Sequence, residues 1–259
     1  MNNIEKYTLI TGGSDGIGFE LAKVFAKNRH NLIIVARNKI KLEKVKNEIE
    51  KEYKIKVEII QCDLSLDKSS EYIKKIVEEK NFIVNNLINN AGVGSFGFFN
   101  EEKDGFEEKL ININIVALTA LTKYFIKDMV KRREGGILNV ASTAAFVGGP
   151  KMSMYYSSKA YVLSLTEALH DEVKEYGIRV SCLCPGPVKT SFQEKAGIRK
   201  SEKAKKYLMD TKKVADIAYV EFLKGKAIII PGYKNKLLVL GNKLIPRAWS
   251  RMIILKSNS

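Results

Sequence analysis

The chain has 259 residues, 45% apolar and 28% charged, with a formal net charge of +15. That length suits one large α/β domain, at ~100–200 residues per domain, and the composition excludes a fibrous or mainly disordered chain. No run of 18 apolar residues is present and Met1–Ile10 lacks the regions of a signal peptide, so neither a spanning helix nor a leader is expected.

Strand and helix signals alternate from the start. YTLIT reads as a strand, 17–29 as a helix, NLIIVA as a strand and 39–53 as a helix. KVEIIQC, a helix over 67–79, the strand NLIN and a long helix over 106–131 follow. Next come the strand GILNVAS, a helix over 154–176, the strand IRVSCLC and a seventh strand in AIIIPG. This order predicts a parallel sheet covered on both faces, a single doubly wound Rossmann-type α/β domain of mainly seven strands. Its core covers about 6–231, followed by a C-terminal segment over 232–259. The run from Thr190 to Met209 breaks the rhythm and suits a loop or short helices over a site.

Three cysteines cannot make a disulfide framework, so a reducing cytoplasm is expected. Neither the cysteines nor the two histidines have zinc-ligand spacing, and no G-x-S-x-G elbow appears. Neither a metal site nor a Ser-His-Asp hydrolase is therefore predicted. Charge is uneven: residues 195–259 carry +12 of the +15, and no acid follows Glu221. A basic tail attracts anions, whether a phosphate-bearing cofactor, an acidic substrate, a membrane surface or nucleic acid. No nucleic-acid motif accompanies it, so no nucleic-acid partner is expected.

Between the first strand and helix stands Thr11-Gly12-Gly13-Ser14-Asp15-Gly16-Ile17-Gly18. A strand-to-helix turn gathers free N–H groups and the positive helix end at one point, and glycines let backbone approach a pyrophosphate. The second strand ends in Ala36-Arg37-Asn38, where dinucleotide folds carry an acid for the ribose 2′-hydroxyl. A guanidinium there can bind a 2′-phosphate, which favours NADP (NADPH) over NAD. Asp15 places an acid in the phosphate turn and pulls the other way.

Ser142 ends the fifth strand; Tyr155 and Lys159 follow one turn apart on one helix face. Tyrosine has an ordinary pKa of about 10, and a nearby ammonium lowers it. Such a phenol can give a proton to a carbonyl being reduced, with Ser142 hydrogen-bonded to the same oxygen.

With these motifs in this order the chain resembles the short-chain dehydrogenase/reductases. The matching residues are 11–18 as TGxxxGxG, Asp63-Leu64, Asn89-Asn90-Ala91-Gly92, Asn114, Ser142, Tyr155, Lys159 and Pro185-Gly186. The resemblance covers about 6–231. It implies an NADP-dependent oxidoreductase moving hydride reversibly between a nicotinamide and a ketone or secondary alcohol. Tyr155 would be the general acid, Lys159 would lower its pKa and bind the nicotinamide ribose, Ser142 would orient the carbonyl, and Asn114 would hold a relay water. Gly12, Ser14, Asp15, Gly16, Ile17 and Gly18 would line the pyrophosphate turn. Arg37, Asn38, Asp63 and Leu64 would meet the adenosine end. Asn90, Ala91, Gly92, Pro185, Gly186, Val188 and Thr190, with Tyr155 and Lys159, would meet the nicotinamide side. Tyr156 is expected only to pack.

Family members pair through their long helices, which implies a homodimer or homotetramer. Phe96, Phe98, Phe99, Phe146, Met152 and Met154 suggest an apolar carbonyl substrate, ketoacyl or steroid-like. A second reading is an NADP-binding sensor or scaffold without turnover. In the tail, Lys243, Arg247 and Arg251 share i, i+4, i+8 spacing beside Leu240, Leu244 and Met252, with Pro246 as a helix start or kink. This segment can lie on an anionic membrane, but packing on the protein as lid, substrate wall or subunit contact is the expectation.

Overall fold

The computed structural model describes residues 5–198 and 208–257. Seven strands form one sheet: β1 (Lys6–Thr11), β2 (Asn31–Ala36), β3 (Val57–Gln61), β4 (Ile83–Asn89), β5 (Gly136–Val140), β6 (Arg179–Leu183) and β7 (Ile228–Ile229). Their order is β3-β2-β1-β4-β5-β6-β7, and every pairing is parallel. The helices are α1 (Gly16–Lys27), α2 (Lys39–Tyr53), α3 (Ser69–Glu79), α4 (Phe106–Ile111), α5 (Leu118–Arg132), α6 (Ser153–Val173), α7 (Phe192–Lys195), α8 (Thr211–Leu223), α9 (Tyr233–Leu244) and α10 (Arg247–Ser257).

The strand sequences are apolar on both faces, as a doubly covered sheet requires. Along β2, Leu32 and Ile34 enter one apolar layer with Leu21 and Phe25 of α1 and Val214 and Phe222 of α8. Ile33 and Val35 enter the opposite layer with Ile73 of α3 and Leu121, Phe125 and Met129 of α5. A third cluster joins Leu118, Ala141, Val162 and Leu163 to Cys182 and Cys184. Strand order reverses between β1 and β4, which opens a crevice at their C-terminal ends, where ligands bind in such sheets.

Several elements differ from their sequence signals. β4 begins three residues before NLIN, and β7 is only two residues of AIIIPG. The helix read over 106–131 contains a π-helical turn, Asn112–Ala117, between α4 and α5. By length and composition Phe106–Arg132 would suffice to cross a membrane, contrary to expectation. Its Leu110, Ile113, Ala117, Leu121, Phe125 and Met129 are instead buried in the protein. Helix α8 had no predicted counterpart. Its signals are an Asp210 N-cap accepting from Lys213 N at 3.1 Å, and Val214, Ala218 and Phe222 at helical spacing, all buried. Of the Thr190–Met209 stretch, α7 and a parallel bridge between Val188 and Met209 are seen; 199–207 lie outside the described residues.

The tail forms two helices rather than one continuous stripe. Helix α9 ends at Leu244, and Pro246 opens α10, its carbonyl accepting from Trp249 N at 3.0 Å and Ser250 N at 3.2 Å. Lys243 therefore lies on a different helix from Arg247 and Arg251. The expected packing of this segment against the protein is slight: Val239 is the buried residue of α9, and most large apolar side chains of both helices are exposed.

Candidate active site

The turn between β1 and α1 is held in an unusual backbone shape. Gly12 has φ +66° and Gly16 φ +57°, a region that disfavours residues with a Cβ. A Cβ on Gly12 would lie 2.9 Å from Asn90 Nδ2 and 3.0 Å from Ala91 Cα. On Gly18 it would overlap the Asn90 side chain and the Gly12 carbonyl. The first turn of α1 thus approaches β1 and β4 closely, with the helix N-terminus facing the crevice. Asn90 supports the turn: Nδ2 donates to Thr11 O (3.0 Å) and Gly12 O (3.1 Å). Its amide thus braces the glycine turn. Ile17 packs against the core, so only its backbone can face a phosphate.

Asp15 is the N-cap residue of α1, yet its side chain makes no capping bond. Its carboxylate accepts from Ser191 Oγ at 2.6 Å and Lys195 Nζ at 3.1 Å, and Lys195 Nζ also reaches Ser191 Oγ at 2.8 Å. Partial burial would raise the Asp15 carboxyl. The hydrogen bonds from Ser191 and Lys195 and the Lys195 charge outweigh it and hold the group below its ordinary value. The acid in the phosphate turn thus joins α1 to the segment after β6. A cleft of about 480 Å³ lies against this junction, lined by Asp15, Gly16, Phe19, Lys189, Thr190 and Thr211 among others.

A second cleft, about 190 Å³, runs over the ends of β1, β2 and β3. It is lined by Gly12, Ser14, Arg37, Asn38, Asp63, Leu64, Ala91 and Gly92, all expected, and by Val35, Ala36, Cys62, Val93 and Ile113, which were not. These five are apolar residues or a thiol at strand ends, in the loop after β4 and on the π-turn, with no polar signal to reveal them. Arg37 Nη1 lies 3.9 Å from Asp63 Oδ2. Burial would raise the Asp63 carboxyl. The Ser65 N–H and hydroxyl, at 2.9 and 2.7 Å, and the charges of Arg37 and Lys109 hold it below the usual range. Asn38 Oδ1 accepts from Lys41 N at 2.9 Å and so caps α2; a capping role explains that asparagine without any ligand.

Ser142, Tyr155 and Lys159 converge at the end of β5. Lys159 is buried, and its Nζ donates to Val140 O at 2.9 Å and lies 5.7 Å from the Tyr155 ring centre. Ser142 Oγ accepts from Ala144 N at 3.1 Å and donates to Pro185 O at 3.4 Å. Burial pushes the Tyr155 phenol up to about 12, against the Ser142 hydroxyl, which pulls it down. Burial also pushes the Lys159 ammonium down to about 8. The expected fall in the Tyr155 pKa is thus reversed in this protein-only site, because desolvation outweighs a cation nearly 6 Å from the ring. At neutral pH Tyr155 keeps its proton and can donate it.

Asn114 sits in the π-turn and is almost fully buried. Its Oδ1 accepts from Val93 N (2.9 Å), and its Nδ2 donates to Val93 O (2.9 Å) and Ser158 Oγ (3.0 Å). It therefore ties the loop after β4 to the Tyr155 helix; single π-turns often lie at functional sites. A Cβ on Gly92 would stand 3.3 Å from Lys159 Nζ and 3.4 Å from Asn114 Oδ1, so all three meet at one point.

Pro185 and Gly186 follow β6 beside Ser142, and Asn235 of α9 packs directly on Gly186. Val188 is buried in the core, leaving its backbone for any ligand. Thr190 lies against Gly16. Sequence reasoning missed Phe192, whose ring packs 5.3 Å from that of Tyr155, because α7 is too short to show a periodic pattern. Tyr156, by contrast, packs against Gly149 as expected.

A parallel doubly wound sheet, a glycine turn at its switch point and a Ser-Tyr-Lys cluster define a dinucleotide oxidoreductase. The sequence matches the short chain dehydrogenase family over residues 6–201, and the chain belongs to that family. Its members bind NAD(P) and act on small molecules. A very-long-chain 3-oxoacyl-CoA reductase-like protein of Arabidopsis thaliana is 37% identical over 189 residues, 71% of this chain and 60% of that protein. The very-long-chain 3-oxoacyl-CoA reductase of Rattus norvegicus is 33% identical over 199 residues, 75% of this chain and 62% of that one. The chain thus spans about six-tenths of these relatives. A solved short-chain dehydrogenase from Sphingobium yanoikuyae in complex with NADPH superposes with TM-score 0.82 at 32% identity, covering 89% of each chain.

Proposed function

We propose that the protein is an NADP(H)-dependent reductase of apolar ketones, with 3-oxoacyl thioesters as the leading substrate class. The observation that carries this reading is the convergence of a protonated Tyr155, Ser142 and buried Lys159 beside a glycine-cradled cleft. The glycine geometry and the cleft fit a dinucleotide, and Arg37 at its rim favours the 2′-phosphate form. When bound, the nicotinamide supplies the hydride that reaches the carbonyl carbon.

The protein's own residues would do the rest. Ser142 Oγ would hydrogen-bond the carbonyl oxygen and fix its position. Tyr155 Oη would give that oxygen its proton as the hydride arrives, leaving an alcohol. Lys159 would hold a positive charge next to the resulting phenolate and favour it. The names of the Arabidopsis and rat relatives support a 3-oxoacyl substrate, as do Phe96, Phe98 and Met152 on the loops expected to wall the pocket. Exposed Val116 and Tyr161 on the two long helical stretches support pairing of two copies through that face.

The test is consumption of NADPH and of NADH by purified protein across small diketones, ketosteroids and 3-oxoacyl thioesters. Turnover of a long apolar ketone with NADPH, and little with NADH, is expected. Tight NADPH binding with no turnover of any ketone would favour the sensor reading instead.

A further inference from the structure

Helices α9 and α10 invert the usual arrangement of a surface helix, which turns its polar face outward. On α9, Tyr233, Leu237, Leu240 and Leu244 recur at i, i+4, i+7 and i+11 and share one face. They and the adjacent Leu238 are 54% to 78% exposed. The side of α9 toward the protein holds buried Val239 and Asn235, whose Nδ2 donates to Pro231 O at 2.8 Å. The apolar stripe therefore points away from the body. On α10, Trp249, Met252 and Ile253 are likewise more than half exposed, while Ser250 faces inward. An outward apolar patch of this extent marks an interaction site.

The charge around the patch limits what can cover it. Lys236 and Lys243 border the α9 stripe, Arg247, Arg251 and Lys256 lie on α10, and no Asp or Glu occurs after Glu221. A contact of this face with its own copy would set cations against cations. An anionic lipid surface satisfies both features at once: headgroups neutralise the lysines and arginines while the leucines and tryptophan enter the acyl boundary.

We propose that α9 and α10 form a docking face for an anionic membrane surface. The face is anchored next to the catalytic cluster: Asn235 packs on Gly186, and the Arg251 side chain lies on Gly148. Docking would bring the mouth of the site to the lipid boundary. This inference stands on the exposed helices alone and does not depend on the reductase reading.

Trp249 is the single tryptophan of the chain and sits on the proposed face, so its fluorescence reports contact directly. The full-length protein is mixed with phosphatidylcholine vesicles, and with vesicles of phosphatidylcholine and phosphatidylglycerol, at low and high salt. Expected are a blue shift of Trp249 emission and co-sedimentation with the anionic vesicles, with partitioning at least about tenfold weaker on neutral ones. Lys243→Glu/Arg247→Glu should abolish both signals, and Leu240→Ser/Leu244→Ser the blue shift, with the far-UV circular dichroism of each variant unchanged. Absence of a shift on anionic vesicles at low salt, or equal binding to both vesicles, would overturn the proposal. So would a Leu240→Ser/Leu244→Ser protein that turns from dimer to monomer yet binds vesicles as before, since a second copy would then be the occupant.

Discussion

The crevice at the ends of β1, β4 and β5 and the helical pair α9–α10 each break a rule of folding, in opposite senses. The crevice takes polar groups inward: Lys159, Asn114 and Ser158 are buried, and each has a named hydrogen-bond partner. The helical pair turns apolar groups outward, with Leu244 78% exposed. Burying an ammonium and exposing leucines both oppose stability. A chain under selection for stability alone would do neither, so both places point to a ligand. They differ in how the ligand would be met. In the crevice the geometry is fixed in advance by Asn90, Asn114 and the glycines, as catalysis of one reaction demands. On α9–α10 nothing fixes the partner's shape, as suits a fluid surface.

The comparison breaks first at Tyr155. If the crevice is built for proton transfer, Tyr155→Phe removes the proton and little else. Turnover is expected to fall roughly a hundred- to ten-thousand-fold, with NADPH affinity, measured by fluorescence titration, nearly unchanged. A variant within a few-fold of the parent would show that the buried cluster is structural. The same phenol predicts the pH behaviour. With Tyr155 held near 12 by burial, ketone reduction should be flat from pH 6 to 8 while alcohol oxidation, which needs the phenolate, climbs with pH.

Lys159 offers the next largest effect. Its ammonium is depressed to about 8 by burial, against about 10.4 in an unfolded chain. Below pH 8 both states are charged, and the native state bears the cost of burying the charge. Between about pH 8 and 10.4 the unfolded state binds more protons, so stability rises with pH. Lys159→Met removes this contribution. Relative to the parent, its stability advantage should shrink by about 1.6 kcal/mol between pH 8 and 9.5, measured as the difference of two denaturant titrations. The remaining lysines cancel in that difference. A constant difference would mean that Lys159 stays charged in the native state throughout, with no fall in its pKa from burial.

Much of the crevice was legible in the sequence because its chemistry demands particular residues at fixed places. Gly12 and Gly18 admit no Cβ, and Tyr155 and Lys159 must share one helix face. Strands β1, β2 and β5 were legible because a sheet covered on both sides needs unbroken apolar runs. Other features were not. The brace made by Asn90 and the Asp15–Lys195 junction both depend on contacts between distant segments. Their residues carry no local mark of which partner they will choose. Phe192 was hidden because the four residues of α7 are too few to show a period. The outward turn of the apolar faces of α9–α10 was not legible, because amphipathic spacing tells which residues share a face, not which way that face turns.

Arg37 sharpens the comparison at the crevice rim. More than half of its side chain is exposed, so on the proposed reading its hold on a 2′-phosphate would fall at the weak end of charge-assisted hydrogen bonds, about 1.5 kcal/mol. Arg37→Ala should raise KM for NADPH about tenfold and leave KM for NADH within a factor of two or so, since NADH has no phosphate for the guanidinium to meet. Equal changes for both cofactors would remove Arg37 from the discrimination and leave Asp63 as the residue that sets it.

The smallest effect belongs to Asp15, where the two kinds of electrostatics meet. Its carboxylate lies in the phosphate turn, where it repels an anion, yet it also occupies Lys195, whose cation would otherwise be free to attract one. Both consequences weaken cofactor binding, and both vanish in Asp15→Asn. The pair is exposed on both sides, 41% for Asp15 and 63% for Lys195, so its strength is below about 1 kcal/mol. KM for NADPH should therefore fall by less than about fivefold, and the gain should fade at high salt as the freed Lys195 is screened. Lys195→Met separates the two contributions: it leaves the acid in place without its partner, so KM should rise. If Asp15→Asn instead raises KM, the acid serves chiefly to hold the segment after β6 against the turn, and order there outweighs charge.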